Sequence, residues 1–441
     1  MLFSKFPDIP YVGIYVINRP GLLLRDPKLI LDVVQKNFVH FLNNDLLVDE
    51  KIDPIFASNP FTSRDVNWRK RRIIHNRQFS TGKIKYMFNL VNQGGERLAQ
   101  FLNDQIGEKN KFTMECMELV AKYTIYNIAN CTMGIDPRTF DEENSEMRQM
   151  GRDIIEPTFL NGLKQFLVFI SPVFAHIISV HIVPSDVTNR FKRLIKEQLE
   201  YREQHKVVRN DFFESIQEHK GEKATVEEMA IQIGGFFIDG FATSSAALHL
   251  IVYELAVNSD VQQRLAEEVD EYLLKYDGSI PYYVFQEMPY LEAVALEGLR
   301  KYPGFPTVTR VCTKSIVFPP VSSTSKPLHI QPGTPVVIPL KALHYDEKYF
   351  QDPHRFDPSR FLGENKEKIQ KCTYMPFGEG PRACLGQRFA LIQIKMMLLK
   401  LVSQFEIKLN PKTRLPLIYN VQTILLAVEG GIWLDIYRRT R

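Results

Sequence analysis

The sequence predicts a mainly α-helical protein with a smaller β-rich portion, on three observations. Helical periodicity dominates from about 68 to 302. Between Pro303 and Pro339 the texture changes to eight prolines among β-branched runs, the composition of short strands and turns. No Gly/Ser-rich linker, repeat or low-complexity tract divides the 441 residues. A single domain over 1–441 is expected, with β-rich parts at about 10–50, 303–340 and 406–441 and a helical core at about 68–302 and 385–405.

Taken in chain order, Tyr11 to Val16 and Leu22 to Leu24 read as short strands, and Pro27 to Lys36 as a helix. Phe166 to Pro184 lacks Asp, Glu, Lys and Arg, but Pro172, His176 and His181 interrupt it. Thr225-Val226-Glu227-Glu228 has the capping-box spacing and opens a long apolar helix. From Met229 to Tyr253 that helix carries one charge, Asp239, and it reads as a helix buried in protein rather than facing lipid. Asn258-Ser259-Asp260 is expected to cap the next helix. Residues 343–383 look irregular, with Asp352-Pro353 and Asp357-Pro358 as turn signals. Phe389 to Phe405 is apolar nearly all round, so a central buried helix is expected there, followed by short strands near Gly430-Gly431-Ile432-Trp433.

The composition is that of an ordinary globular protein, 44% hydrophobic and 24% charged. A net charge of +4 gives no reason to expect a nucleic-acid partner. Arg69-Lys70-Arg71-Arg72 is a dense basic run, either a solvated helix face or a dock for an acidic partner. The cysteines are Cys116, Cys131, Cys312, Cys372 and Cys384, odd in number and widely spaced, which fits free thiols in a reducing compartment. The N-terminus has no secretory signal pattern.

The most specific segment is Phe377-Gly378-Glu379-Gly380-Pro381-Arg382-Ala383-Cys384-Leu385-Gly386, directly before a long apolar helix. A thiol at a helix N-terminus is favoured as thiolate, because the helix-end amides attract negative charge. Glycines let backbone approach a flat cofactor, and an arginine can meet a carboxylate on its edge. The ten residues resemble the haem-binding loop of cytochromes P450, F-x-x-G-x-R-x-C-x-G, at every fixed position. The resemblance implies haem b with Cys384 as the axial metal ligand and Arg382, Phe377, Gly378 and Gly386 at the cofactor. A thiolate ligand donates electron density that favours O–O cleavage.

Other motifs extend the resemblance over nearly the whole chain and imply the cytochrome P450 fold. Trp68 and Arg72, four apart, resemble the family's W-x-x-x-R, whose side chains reach a haem propionate; Arg310 in Thr309-Arg310-Val311 matches another propionate-binding arginine. Glu297 and Arg300 form an E-x-x-R that, with Arg360 in Pro358-Ser359-Arg360-Phe361, resembles the ion network bracing the irregular stretch before the cysteine. Asp239-Gly240-Phe241-Ala242-Thr243-Ser244 resembles [A/G]-G-x-[D/E]-T-[T/S]. By that likeness Gly240 permits a local widening of the helix for dioxygen, and the Thr243 hydroxyl serves proton delivery. A purely structural alternative has Gly240 allowing close packing and Thr243 bonding its own helix. The motif departs from the family: the acid before the threonine is Ala242, and the small residue four before it is Asp239, placed one turn away to supply a shifted relay.

The implied function is a monooxygenase that inserts one atom of O2 into a lipophilic small molecule, a xenobiotic or an endogenous lipid or hormone. By analogy the substrate meets the loop before Trp68, the 160–185 stretch, Phe236, Phe237, Phe305 to Val308 and the turn before Gly430. No strand here leads into a G-x-G-x-x-G, so the electrons are expected from a separate NADPH–cytochrome P450 reductase, with cytochrome b5 as a second donor. The basic run, Arg388 and Lys395 are the expected docking charges. Tyr11-Val12-Gly13-Ile14-Tyr15, Arg25-Asp26-Pro27 and Ser80-Thr81-Gly82-Lys83 resemble animal microsomal members, especially insect xenobiotic-type ones. That implies the cytoplasmic face of the endoplasmic reticulum membrane. Such members begin with a transmembrane anchor, and this sequence is expected to start where that anchor would end, as a truncated sequence or an incomplete gene model; the apolar 166–184 stretch is expected at the membrane surface. Two other readings are a P450-fold isomerase or dehydratase of a hydroperoxide, and a degenerate haem-binding protein. A cysteine hydrolase using Cys384 lacks a histidine nearby in sequence.

Overall fold

The computed structural model describes residues 2–5, 9–209, 211–217, 224–320 and 326–440. The helices used below are α1 (Pro54–Ser58), α2 (Asp65–Asn76), α3 (Thr81–Ile106), α4 (Cys116–Thr132), α5 (Phe159–Ile170), α6 (Pro172–Ile177), α7 (Ser185–His205), α8 (Val226–Val257), α9 (Ser259–Lys275), α10 (Pro289–Lys301) and α11 (Gln387–Gln404). The strands are β1 (Tyr11–Val16), β2 (Arg19–Leu24), β3 (Lys111–Glu115), β4 (Val308–Val311), β5 (Ile316–Phe318), β6 (Leu328–Ile330), β7 (Pro335–Ile338), β8 (Phe405–Leu409) and β9 (Trp433–Arg438). The expected dominance of helix over strand is what the chain adopts.

The long helix α8 begins where its capping box places it. The Glu228 amide donates to Thr225 Oγ1 at 3.2 Å, and the Thr225 amide donates to the Glu228 carboxylate at 3.0 Å. By length and composition α8 would cross a membrane, yet 78% of its most apolar window lies inside the protein. It packs along α4 and also touches α7, α1 and α10. Phe237, Phe241, Leu248, Leu250 and Ile251 are fully buried there, each worth about 1.5–3 kcal/mol. Helix α11 is apolar nearly all round because α3, α9 and α10 enclose it.

Two expectations need correction. Asn258 stands at the N-cap of α9, but its side chain turns back to the Glu254 carbonyl and carboxylate, both at 2.9 Å, so it closes α8 instead. The helix expected over 27–36 is α-helical only to Leu31; Asp32–Lys36 widens to a π-turn.

The main sheet has order β1-β2-β7-β4. β1 and β2 pair antiparallel, with Tyr11 opposite Leu24; β2 runs parallel to β7, with Leu22 opposite Val336. β4 pairs antiparallel with β7, Arg310 opposite Val336, which holds Arg310 at the protein interior. Smaller sheets are β3-β9-β8 and β5-β6. The helices α5 and α6 carry outward-facing apolar side chains, including Phe159 (75% exposed), Phe166, Phe174 and Ile177 (70%).

Candidate functional site

One deep cavity gathers residues from α2, α8, β4 and the loop before α11. Its lining includes Trp68, Arg72, Asp239, Gly240, Thr243, Arg310, Phe377, Gly378, Arg382, Cys384 and Gly386, so each side chain expected at cofactor or catalysis meets the same space. The loop is shaped by its own backbone: the Cys384 amide donates to the Phe377 carbonyl at 2.8 Å, and the Ala383 amide to Gly380 at 2.9 Å. Gly378 has φ +71° and opens to the cavity. Gly380, at φ +77°, meets a different constraint: a Cβ there would lie 2.0 Å from the Val34 carbonyl oxygen in the widened turn.

Cys384 faces the cavity at the N-terminus of α11. Burial pushes its thiol up to about 11, and Asp239 adds to that; the Gly386 and Gln387 amides and Arg72 pull the other way. The helix-end amides expected to favour the thiolate are thus present at the sulfur, and Arg72 acts with them. A metal cation held by Cys384 would further favour the thiolate form.

The guanidiniums crowd at one side. Arg72 donates to the Ala383 carbonyl at 2.7 Å. Arg382 donates to the carbonyls of Leu42, Pro60 and Ser63 and lies 4.5 Å over the Trp68 ring. Burial, with Arg310, Arg64 and Arg72 nearby, lowers Arg382 to about 9, and Asp65 is the only counter-charge among these causes. Burial alone takes Arg310 to about 10. Arg310 Nε and Trp68 Nε1 are buried donors with no hydrogen-bond partner among the described residues. Donors without acceptors, packed around an excess of positive charge, fit an anionic group. With a sulfur in the same cavity, the set fits haem b with its two carboxylates.

On α8, Thr243 Oγ1 donates to the Asp239 main-chain carbonyl at 2.7 Å. The helix stays regular through Gly240, where a Cβ would meet Ile128 Cδ1 at 2.5 Å. The local widening is not adopted; the glycine serves close packing of α8 on α4. The Asp239 carboxylate faces the cavity, and both its oxygens accept from Asn59 Nδ2 at 2.7 Å. Burial raises its pKa to about 6, and the Asn59 hydrogen bond opposes the shift.

Glu297 and Arg300 lie outside the cavity, fully buried, in a two-pronged pair at 2.7 and 2.8 Å. Arg360 Nε approaches the same carboxylate at 3.5 Å, and the Asp357 amide donates to it at 2.9 Å. Arg300 also donates to the carbonyls of His344, Pro353 and Arg355. The network thus threads the irregular stretch.

Three placements differ from expectation. Phe236 lines the cavity, but Phe237 packs away from it against Phe191 and Phe241. Lys395 is buried, donating to the Phe285 carbonyl at 2.8 Å and pairing with Glu292 at 3.1 Å, so it cannot be a surface docking charge. Arg72 turns inward and Arg71 pairs with Glu50, which leaves Arg69, Lys70 and Arg388 exposed. Asn59 and Gln165 were not singled out from sequence. Asn59 ends α1, and Gln165 on α5 accepts from the Ile424 amide at 2.9 Å, joining two parts of the cavity wall.

A family profile described as cytochrome P450 matches residues 2–434. Cytochrome P450 9e2 of Blattella germanica is 32% identical over all of this chain and 87% of its own length. Cytochrome P450 6j1 of the same species is 32% identical over 99% of this chain and 86% of its own length. Probable cytochrome P450 6a13 of Drosophila melanogaster is 32% identical over 98% of this chain and 87% of its own length.

Proposed function

This chain belongs to the cytochrome P450 family, haem-b monooxygenases with a cysteine thiolate on the iron, and on that premise we propose that it oxygenates a lipophilic small molecule in the cavity centred on Cys384. The observation that carries this reading is the meeting of Cys384, Arg72, Arg310, Arg382, Trp68 and Thr243 around one space. When bound, haem supplies a redox-active iron for dioxygen activation. Cys384 is the proposed ligand, its sulfur anion favoured by two backbone amides and by Arg72. Arg72, Arg310, Arg382 and Trp68 offer donors to the cofactor's acidic edge, and Phe377, Gly378 and Gly386 form the wall beside it.

Thr243 is the proposed proton-holding hydroxyl: turned from the Asp239 carbonyl, Oγ1 presents its hydrogen to the cavity. With Ala242 in place of an acid, Asp239 is the nearest carboxyl on the same helix face. Gly240 belongs to this site by close packing. Glu297, Arg300 and Arg360 are proposed as a brace for the approach to the cysteine loop. The wall is rich in phenylalanine, with Phe61, Phe169, Phe236 and Phe305 supporting a lipophilic substrate that excludes water.

A redox partner is required, and NADPH–cytochrome P450 reductase is proposed to dock at Arg69, Lys70 and Arg388, with cytochrome b5 as a second donor. The exposed apolar side chains of α5 and α6 support contact with the cytoplasmic face of the endoplasmic reticulum membrane. The test is the ferrous–carbon monoxide spectrum of purified holoprotein, together with reductase-dependent NADPH oxidation. We expect the band at the thiolate position and its loss in Cys384→Ser. Retention of that band in the variant refutes the assignment. Turnover of an organic hydroperoxide that needs no reductase would instead favour the isomerase or dehydratase reading.

A further inference from the structure

We propose that the Asp239 carboxylate makes this cavity selective for lipophilic amines, pairing with the protonated or quaternary nitrogen of the substrate. The inference rests on the cavity being the substrate site of the monooxygenase proposed above, and it adds the substrate's charge.

Asp239 is the sole Asp, Glu, Lys or Arg between Met229 and Tyr253, and its side chain opens to the cavity. Its oxygens share one donor, Asn59 Nδ2, at 2.7 Å each. The orientation of that amide is fixed from behind, because Asn59 Oδ1 accepts from the Phe61 amide at 2.8 Å. A carboxylate has about four acceptor sites, so a single amide nitrogen leaves lone pairs facing the open space. No Lys, Arg or His among the described residues forms an ion pair with it. The guanidiniums of the cavity are grouped around Arg382, and none contributes to the ionisation of Asp239. A carboxylate held in an apolar cavity without a cation is unfavourable, and a ligand cation relieves that cost.

The surrounding wall suits the same ligand. Phe61, two residues past Asn59, stacks on Phe305 at 5.4 Å, and Phe169 lies 6.3 Å from both rings. Aromatic faces near an acid attract alkylammonium groups through the ring quadrupole as well as by charge. A neutral hydrocarbon gains the ring contacts alone, and an organic anion is repelled. The cavity is thus basic where the cofactor's acidic edge is expected and acidic on α8.

The test compares two probes of one shape by isothermal titration of purified holoprotein at pH 7.5. One is N,N,N-trimethyl-4-phenylbutan-1-aminium; the other is its carbon isostere 2,2-dimethyl-6-phenylhexane. Neither has a nitrogen lone pair to coordinate a metal, and neither titrates. At that pH the Asp239 carboxyl, near 6, is ionised. The cation is expected to bind at least about tenfold more tightly than its isostere, the scale of one charge-assisted contact. In Asp239→Asn that ratio should fall to about one, through weaker binding of the cation, with the isostere within about twofold of the parent. If Asp239→Asn loads haem poorly, Asp239→Ser gives the same comparison.

An unchanged cation-to-isostere ratio in the variant overturns the proposal. If the variant alters only the coupling of NADPH use to product for a neutral substrate, the carboxyl acts in proton delivery and the amine assignment is wrong. Absence of binding by either probe also overturns it. The carbon monoxide spectrum of the same preparation shows whether the haem-thiolate reading has failed with it.

Discussion

Replacing Glu297 by alanine removes the one carboxylate that a fully buried arginine faces. Arg300 has no exposure, and its two bonds to Glu297 are 2.7 and 2.8 Å. Its other donors remain on the carbonyls of His344, Pro353 and Arg355, so the side chain cannot leave to find water without releasing those segments. The guanidinium therefore stays as an uncompensated buried charge, a situation that costs about 3–5 kcal/mol. At 1.4 kcal/mol per factor of ten, this lowers the ratio of folded to unfolded protein by roughly two to four powers of ten. The Asp357 amide loses its acceptor as well. Arg360 is 13% exposed and 3.5 Å away, so Arg360→Ala should cost only about 1 kcal/mol. The assay is denaturant unfolding followed by tryptophan fluorescence, with the haem-to-protein absorbance ratio of the purified variants measured in parallel. Glu297→Ala is expected to emerge with little haem and a strongly lowered midpoint, and Arg360→Ala close to the parent. A Glu297→Ala protein within about 0.5 kcal/mol of the parent and fully loaded would refute the reasoning.

Gly380→Ala forces a Cβ into the Val34 carbonyl at a positive φ and should cost at least about 3 kcal/mol and most of the haem content, whereas Gly430→Ala, with open space at φ +77°, should cost only about 1–2 kcal/mol; equal unfolding midpoints for the two would contradict this. Asp53 accepts from the amides of Phe56, Ile182 and Val183 at 3.0, 2.7 and 2.9 Å. Asp53→Ala should speed hydrogen exchange at those three amides and destabilise the protein by about 2–3 kcal/mol; unchanged exchange there would count against the clasp. His344 is held neutral, its Nδ1 bonded to the Arg300 carbonyl and its Nε2 accepting the Met375 amide, and burial depresses it to about 3. The unfolded ring protonates near 6.5 and the folded ring does not, so stability contributed by this group falls as pH drops below 6.5, by about 1.4 kcal/mol per unit. Between pH 6 and 5, His344→Gln should reduce the slope of unfolding free energy by about one proton; Asp239, whose pKa is raised, contributes with the opposite sign and is common to both proteins.

What could be read along the chain was whatever a fixed local spacing encodes. The capping box at Thr225 and Glu228, the burial of α8 and the arrival of Trp68, Arg310 and Cys384 at one cavity all follow from offsets of a few residues repeated in a known family pattern. Pairings made through space carry no such mark. Asn59 meets Asp239 across 180 positions, and nothing near Asn59 except the end of a short helix points to it. Lys395 looks like a surface charge, but an apolar helix can bury its stem if the ammonium finds a carbonyl and a carboxylate, as it does at Phe285 and Glu292. Asn258 has the right residue type and position for a cap, and a competing acceptor one turn back decides its rotamer. At the cysteine, the helix-end amides that favour a thiolate can be read from sequence, and the cavity wall that opposes them cannot.

Arg300 holds together a region that has almost no regular structure to hold itself. The three carbonyls that this guanidinium grips all follow α10 in the chain, so one side chain ties a loop that comes after it back to the helix. A molecule in which that grip is not made would expose the segment from 344 to 357, and that stretch would then be the natural place for a protease to cut.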